Sequence, residues 1–189
     1  MSLSNSVDVR ERLHTRSITV DGYRREDGLW DIEGRLLDIR DRDSQLPSGV
    51  RRAGEPFHQM GLRFTLDDTL TILKVEAAMD AFPYAGACDS ITSHYRQLIG
   101  LRIGKGFRRT MSERVGGLRG CSHITELVGA MAAGAVQTLG PFLNKKNDER
   151  PVQLGGCHAW AYDSALVKEL YPQWHVPARQ VDAGSRSES

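Results

Sequence analysis

Leu29-Trp30-Asp31-Ile32-Glu33-Gly34-Arg35-Leu36-Leu37-Asp38-Ile39 is the stretch that decides how this chain folds. Apolar and polar residues alternate through it, and a repeat of two is that of a pleated strand, whose side chains point to opposite faces in turn. Trp30, Ile32 and Leu36 share one face, and Asp31, Glu33 and Arg35 the other. Gly34 lacks a side chain, which marks a bulge or the close approach of another element. Upstream, Ile18 and Val20 alternate with polar neighbours and Glu26-Asp27-Gly28 supplies a turn, so residues 12–39 read as a hairpin.

A second hairpin follows a loop over 46–56. Met60, Leu62, Phe64 and Leu66 alternate outward, Asp67-Asp68 turns, and Leu70, Ile72 and Val75 return. Beyond Pro83 the repeat becomes helical: Ile91, Tyr95, Leu98 and Ile99 are spaced for a helix stopped by Gly100, and a short basic helix spans 107–115 before Gly116-Gly117. The longest helix is expected over 122–139, with Ile124, Leu127, Val128, Met131, Ala135 and Leu139 as its buried stripe and Pro141 ending it. A further short helix is expected over 163–170. Two antiparallel hairpins forming a sheet, followed by helices on one face, define an α+β fold.

The 189 residues suit one domain over 1–175 with a polar, disordered tail over 176–189. With 25 Lys+Arg against 24 Asp+Glu, no global field gathers nucleic acid or acidic lipid. No run approaches the ~18 apolar residues of a membrane span, and the N-terminus has no apolar signal core, so the expected location is the cytoplasm. Three widely spaced cysteines, Cys88, Cys121 and Cys157, argue for reduced thiols. The expected partner is a small molecule rather than nucleic acid or membrane, with homo-oligomerisation left open.

Chemistry concentrates in Gly120-Cys121-Ser122-His123-Ile124-Thr125-Glu126-Leu127, where a thiol, an imidazole and a carboxylate meet the start of the long helix. A helix N-terminus favours thiolate, the form that binds metals and attacks electrophiles; the alternative is a small packed cysteine. His14, Arg16, Tyr23, Arg24, Asp31 and Glu33 form a second group on the first hairpin, either a salt-bridged solvent face or an anion-binding and basic one. Cys157-His158 reads as core.

His14-x-Arg16, Tyr23-Arg24-Arg25-x-Asp27-Gly28-x-Trp30-Asp31-Ile32-Glu33-Gly34, Pro83-Tyr84, Cys88 and Gly120-Cys121-x-His123-x-x-Glu126-Leu127 together resemble the bacterial domain of unknown function 2889 family, numerous in proteobacteria that degrade aromatic compounds. A more distant resemblance, over residues 56–139, is to the NifU/IscU-like iron–sulfur scaffold fold. It rests on Pro56-Phe57-His58-Gln59-Met60, Gly86-Ala87-Cys88-Asp89-Ser90 and Gly120-Cys121-Ser122, with Glu126 five residues after the last cysteine. This second resemblance implies that His58, Cys88 and Cys121 converge as metal ligands. One nitrogen and two sulfurs suit zinc first and iron second.

The resemblances together imply a metal-dependent enzyme of aromatic catabolism, a lyase or a hydrolase. In its most concrete form it is a lyase that releases formaldehyde from a lignin-derived phenolic. His123 or Tyr84 would then move the proton and Arg16 would orient the anion. Phe57, Phe82, Tyr84 and Tyr95 are the candidates to line a pocket. The rivals are a non-catalytic metal or sulfur carrier of the scaffold type, and a metal-free binding or structural subunit.

Overall fold

The computed structural model describes residues 9–143, 150–151 and 153–177. They fall into two compact units that divide between Leu139 and Gly140. The first contains β1 (His14–Arg24), β2 (Trp30–Arg40), β3 (Ser44–Leu46), β4 (Gly49–Arg51), β5 (Pro56–Leu66) and β6 (Ile72–Ala81). Four strands form one antiparallel sheet in the order β1-β2-β5-β6, while β3 and β4 make a separate hairpin. That hairpin occupies much of the stretch expected to be loop, because strands of three residues are too short to print a repeat on the sequence.

Across β1, β2 and β5, register places even-numbered residues opposite one another. Ile18 pairs with Leu36, Val20 with Gly34, Leu36 with Met60, and Ile32 with Phe64. One face of the sheet therefore carries Trp30, Ile32, Leu36, Met60, Leu62 and Phe64, all buried. The pairing slips once near the end of β2: Asp38 lies opposite His58 but Ile39 lies opposite Pro56, so Phe57 is the extra residue of a β-bulge.

A 3₁₀ helix over Asp89–Leu98 leads to α1 (Phe107–Val115), a 3₁₀ turn over Gly117–Arg119 and α2 (Ser122–Leu143). The expected stripe of α2 is buried in full. Its small contacts show where it lies. A Cβ on Gly34 would come within 2.6 Å of Met131 Sδ and 2.9 Å of Leu127 Cδ1, one on Gly134 within 2.5 Å of Val20 Cγ1, and one on Gly22 within 2.0 Å of Thr138 Oγ1. Glycine at these three positions lets the helix lie close along β1 and β2. Gly34→Val is accordingly expected to cost about 1–3 kcal/mol by overpacking. In urea unfolding, the double variant Gly34→Val/Met131→Ala should lose less than the sum of the two single losses, because the shortened side chain opens the space the valine needs.

The helix does not stop at Pro141 but continues to Leu143. A proline clashes with the Cβ of the residue before it, and here that residue is Gly140, so the helical turn survives.

In the second unit, α3 (Ala165–Leu170) is capped by Ser164, whose Oγ accepts the Val167 N–H at 3.2 Å. Cys157 and His158, expected in the core, are exposed in a turn shaped by the left-handed Gly155. From residue 178 onward the expected tail lies outside the described residues. Among the described residues no helix is long and apolar enough to cross a membrane.

Candidate metal centre

Arg16, Asp38 and His58 stand opposite one another on β1, β2 and β5, a single rung across three strands. The alternation of β2 puts Asp38 on the buried face in phase with Trp30, Ile32 and Leu36, and it is 2 % exposed. A carboxylate there requires partners for its lone pairs. Oδ1 accepts Arg16 Nε at 2.8 Å and His14 Nε2 at 3.1 Å, while Oδ2 accepts Arg16 Nη2 at 2.7 Å and His58 Nδ1 at 2.8 Å. Phe57, thrown inward by the bulge, backs the site. Its ring meets His58 edge-on at 5.0 Å and is covered by the Arg40 guanidinium at 3.6 Å.

From above, the first turns of α2 add His123 and Glu126. The His123 ring stacks against His58 with centroids 3.8 Å apart and planes at 34°, and its Nε2 lies 3.8 Å from Asp38 Oδ2. Three residues further on, the half-exposed Glu126 accepts Arg16 Nη1 at 2.5 Å. Arg16 thus holds two carboxylates, one from the sheet and one from the helix.

What aims α2 is Tyr95, fully buried on the 3₁₀ helix. Its phenol accepts the Cys121 N–H at 2.8 Å and donates to the Cys121 carbonyl at 2.8 Å, with Thr125 Oγ1 2.9 Å away. Burial raises the phenol above its usual range, against the opposing bonds from Thr125 and Cys121. The folded protein therefore holds this proton more tightly than the unfolded chain does, and the associated stability is intact below about pH 10 and lost as pH rises past it. Tyr95→Phe should be less stable by about 1–2 kcal/mol at neutral pH, since it orphans the Cys121 N–H. Its stability should also fall less steeply than wild type above about pH 10, as read by urea unfolding at stepped pH. Equal slopes would refute the assignment.

Burial lowers both His58 and His123. For His58 it outweighs the hydrogen bond to Asp38, and for His123 the nearby Arg16 charge adds to it. Both imidazoles are consequently neutral near pH 7, with lone pairs available. Burial alone would raise Asp38, but the hydrogen bonds from Arg16 and His58, the Arg16 charge and the bond from His14 prevail and hold it well below the usual carboxylate range. Arg16 is the guanidinium that faces both carboxylates, Asp38 and Glu126. Asp38, His58 and His123 each offer one ligand atom within 4.8 Å of the others, a group able to hold a metal ion. Two neutral imidazoles and a carboxylate fit the donor preferences of zinc and of iron.

Of the residues singled out by sequence, His14, Arg16, His58, His123 and Glu126 come together here. Arg16 does so in a different role. It sits on the helix-covered face, while Asp31 and Glu33 lie on the opposite one, paired with Arg25 and with Arg35 and Arg63. The expected mixed group on the first hairpin is thus divided between two faces. Cys121 touches the edge of the site, its Sγ 3.7 Å from His123 Nδ1, but neither it nor Cys88 belongs to the three-residue group. Cys88 caps the 3₁₀ helix, its N–H donating to Tyr84 O at 2.9 Å, and the Tyr84 side chain is exposed. Sequence reasoning missed Asp38. Its signal is an acid on the apolar phase of a strand, where burial demands a partner.

The architecture and the site together define an α+β protein whose sheet and longest helix close on a carboxylate–imidazole cluster. The chain belongs to the family of proteins of unknown function DUF2889, which matches residues 14–137 and so contains every residue of that cluster. No curated protein and no solved structure matches the chain.

Proposed function

We propose that the protein is a divalent-metal-dependent enzyme in which Asp38, His58 and His123 hold the metal, zinc the first choice and iron the second. The observation that carries this reading is the convergence of a buried carboxylate and two neutral, stacked imidazoles, contributed by β2, β5 and α2, around one point. Bound there, a cation would supply Lewis-acid polarisation of a substrate oxygen. Asp38 fixes the His58 ring by accepting its Nδ1–H, which turns the Nε2 lone pair outward. His14 fixes Asp38 in turn. Glu126, one helical turn beyond His123 and half exposed, pairs with Arg16 through Oε2, and its Oε1 is the atom that takes and returns a proton.

The reaction proposed is lyase chemistry on a lignin-derived phenolic that carries a hydroxymethyl group, a substrate class taken from the resemblance to domains of aromatic-degrading bacteria. Glu126 removes the hydroxyl proton and the adjacent carbon–carbon bond breaks to release formaldehyde. The carbon left behind keeps the electron pair and receives the proton back from Glu126. Protein grown with added metal and purified without chelators is expected to contain near-stoichiometric zinc or iron. His58→Ala and His123→Ala should lose it, and a Cys88→Ser/Cys121→Ser double variant should keep it. Formaldehyde release from hydroxymethyl phenolics tests the chemistry. Absence of metal from the wild type sinks this reading.

A further inference from the structure

Asp38 has no lone pair to spare. Its two oxygens accept four hydrogen bonds, two of them from Arg16, so a cation that joins Asp38 has to displace a donor. His58 is needed as a ligand, with its ring fixed by the Asp38 bond. His14 bonds Oδ1, on the side away from His123, which approaches Oδ2. The donor left is Arg16 Nη2 on Oδ2. Arg16 also has somewhere to go: Nη1 already lies 2.5 Å from Glu126, and the guanidinium is only partly covered, at 30 % exposure.

We propose that Arg16 is the internal counter-cation of the metal-free centre, occupying Asp38 until a divalent cation displaces it toward Glu126. This rests on the metal reading above and adds a regulatory part to it. Metal affinity is then set by a competition between two cations for one carboxylate, and Glu126 is the residue that makes giving way inexpensive. Removing the competitor tightens binding, and removing its second carboxylate weakens binding.

The test is zinc affinity by competition with a chromophoric chelator for wild type, Arg16→Gln, Arg16→Lys and Glu126→Gln, each checked for folding by circular dichroism. Lysine keeps the positive charge but cannot hold both Asp38 oxygens at once. Both Arg16 variants are expected to bind zinc about tenfold tighter or more, and Glu126→Gln about tenfold weaker, the usual scale for groups behind a metal ligand. Tightening by glutamine alone, with lysine equal to wild type, reduces Arg16 to a long-range charge and overturns the proposal. So does wild-type affinity in Glu126→Gln, whose half-exposed side chain makes it the variant most certain to fold. If wild type binds zinc and no variant differs, this inference fails while the metal reading stands. If wild type does not bind zinc, the metal reading fails and takes this inference with it.

Discussion

Asp38→Ala is expected to lower stability by about 3 kcal/mol, at the lower end of the range for breaking a buried ion pair by deleting one partner. The deletion removes the β2 acceptor that donors from β1 and β5 share, and leaves Arg16, His14 and His58 without their common partner. Arg16 keeps Glu126 and partial access to water, which is why the loss is not larger. Asp38→Asn preserves the shape but brings an amide N–H₂ against guanidinium donors, so an intermediate loss is expected. Urea unfolding measures both. Because carboxylates that stabilise in the ionised form lose that contribution on protonation, the difference between wild type and Asp38→Asn should shrink in acid. If Asp38→Ala were as stable as wild type, the three-strand rung would hold nothing together.

Gly120→Ala is the second large expected effect, at about 2–3 kcal/mol for an overpacked site with little room to relax. Its Cβ would lie 2.0 Å from the Val115 carbonyl oxygen and 2.9 Å from the Tyr95 phenol oxygen. Backbone cannot swing aside as a flexible side chain can, so the residue before Cys121 must move and the Tyr95 clamp must open. The start of α2 moves with it, together with His123 and Glu126. Faster hydrogen exchange at the Cys121 amide should accompany the loss of stability. Gly129→Ala, inside α2 and with nothing beyond its own helix backbone and chain neighbours within 4 Å of its Cβ, is the control. There, alanine is expected to stabilise by about 0.5–1 kcal/mol through helix propensity. Equal behaviour of the two variants would mean that the contact at Gly120 is not decisive.

Much of the fold can be read from the sequence because its signals are local. The repeat of two in 29–39 and 60–66 identified the strands and their buried faces, and the helical repeat in 122–139 identified the stripe that α2 buries. Gly34 announced a close approach, which Met131 and Leu127 make. Errors fell where local signals are short or outweighed: the three-residue strands β3 and β4, the Gly140-Pro141 junction, and the exposed turn at Cys157.

The site was legible in part. His14, Arg16, His58, His123 and Glu126 stood out by residue type, and the structure groups them. Cys88 and Cys121 stood out for the same reason but lie outside the metal-capable group, since a thiol at a helix start is not thereby aimed at another ligand. Asp38 drew no notice because its neighbours supplied the strand pattern, and an acid among alternating residues looks like part of the polar face until its phase is counted.

By itself, then, the sequence determined which residues form strands and helices and which faces they bury, because pleat and helix periods are properties of a single segment. Only the tertiary structure decided that Arg16, Asp38 and His58 share one rung, that His123 stacks on His58, and that Glu126 reaches Arg16. Those juxtapositions depend on the register between strands and on how closely α2 lies along the sheet. Glycines at 22, 34 and 134 and the Tyr95 clamp set that approach, through contacts between residues far apart in the chain.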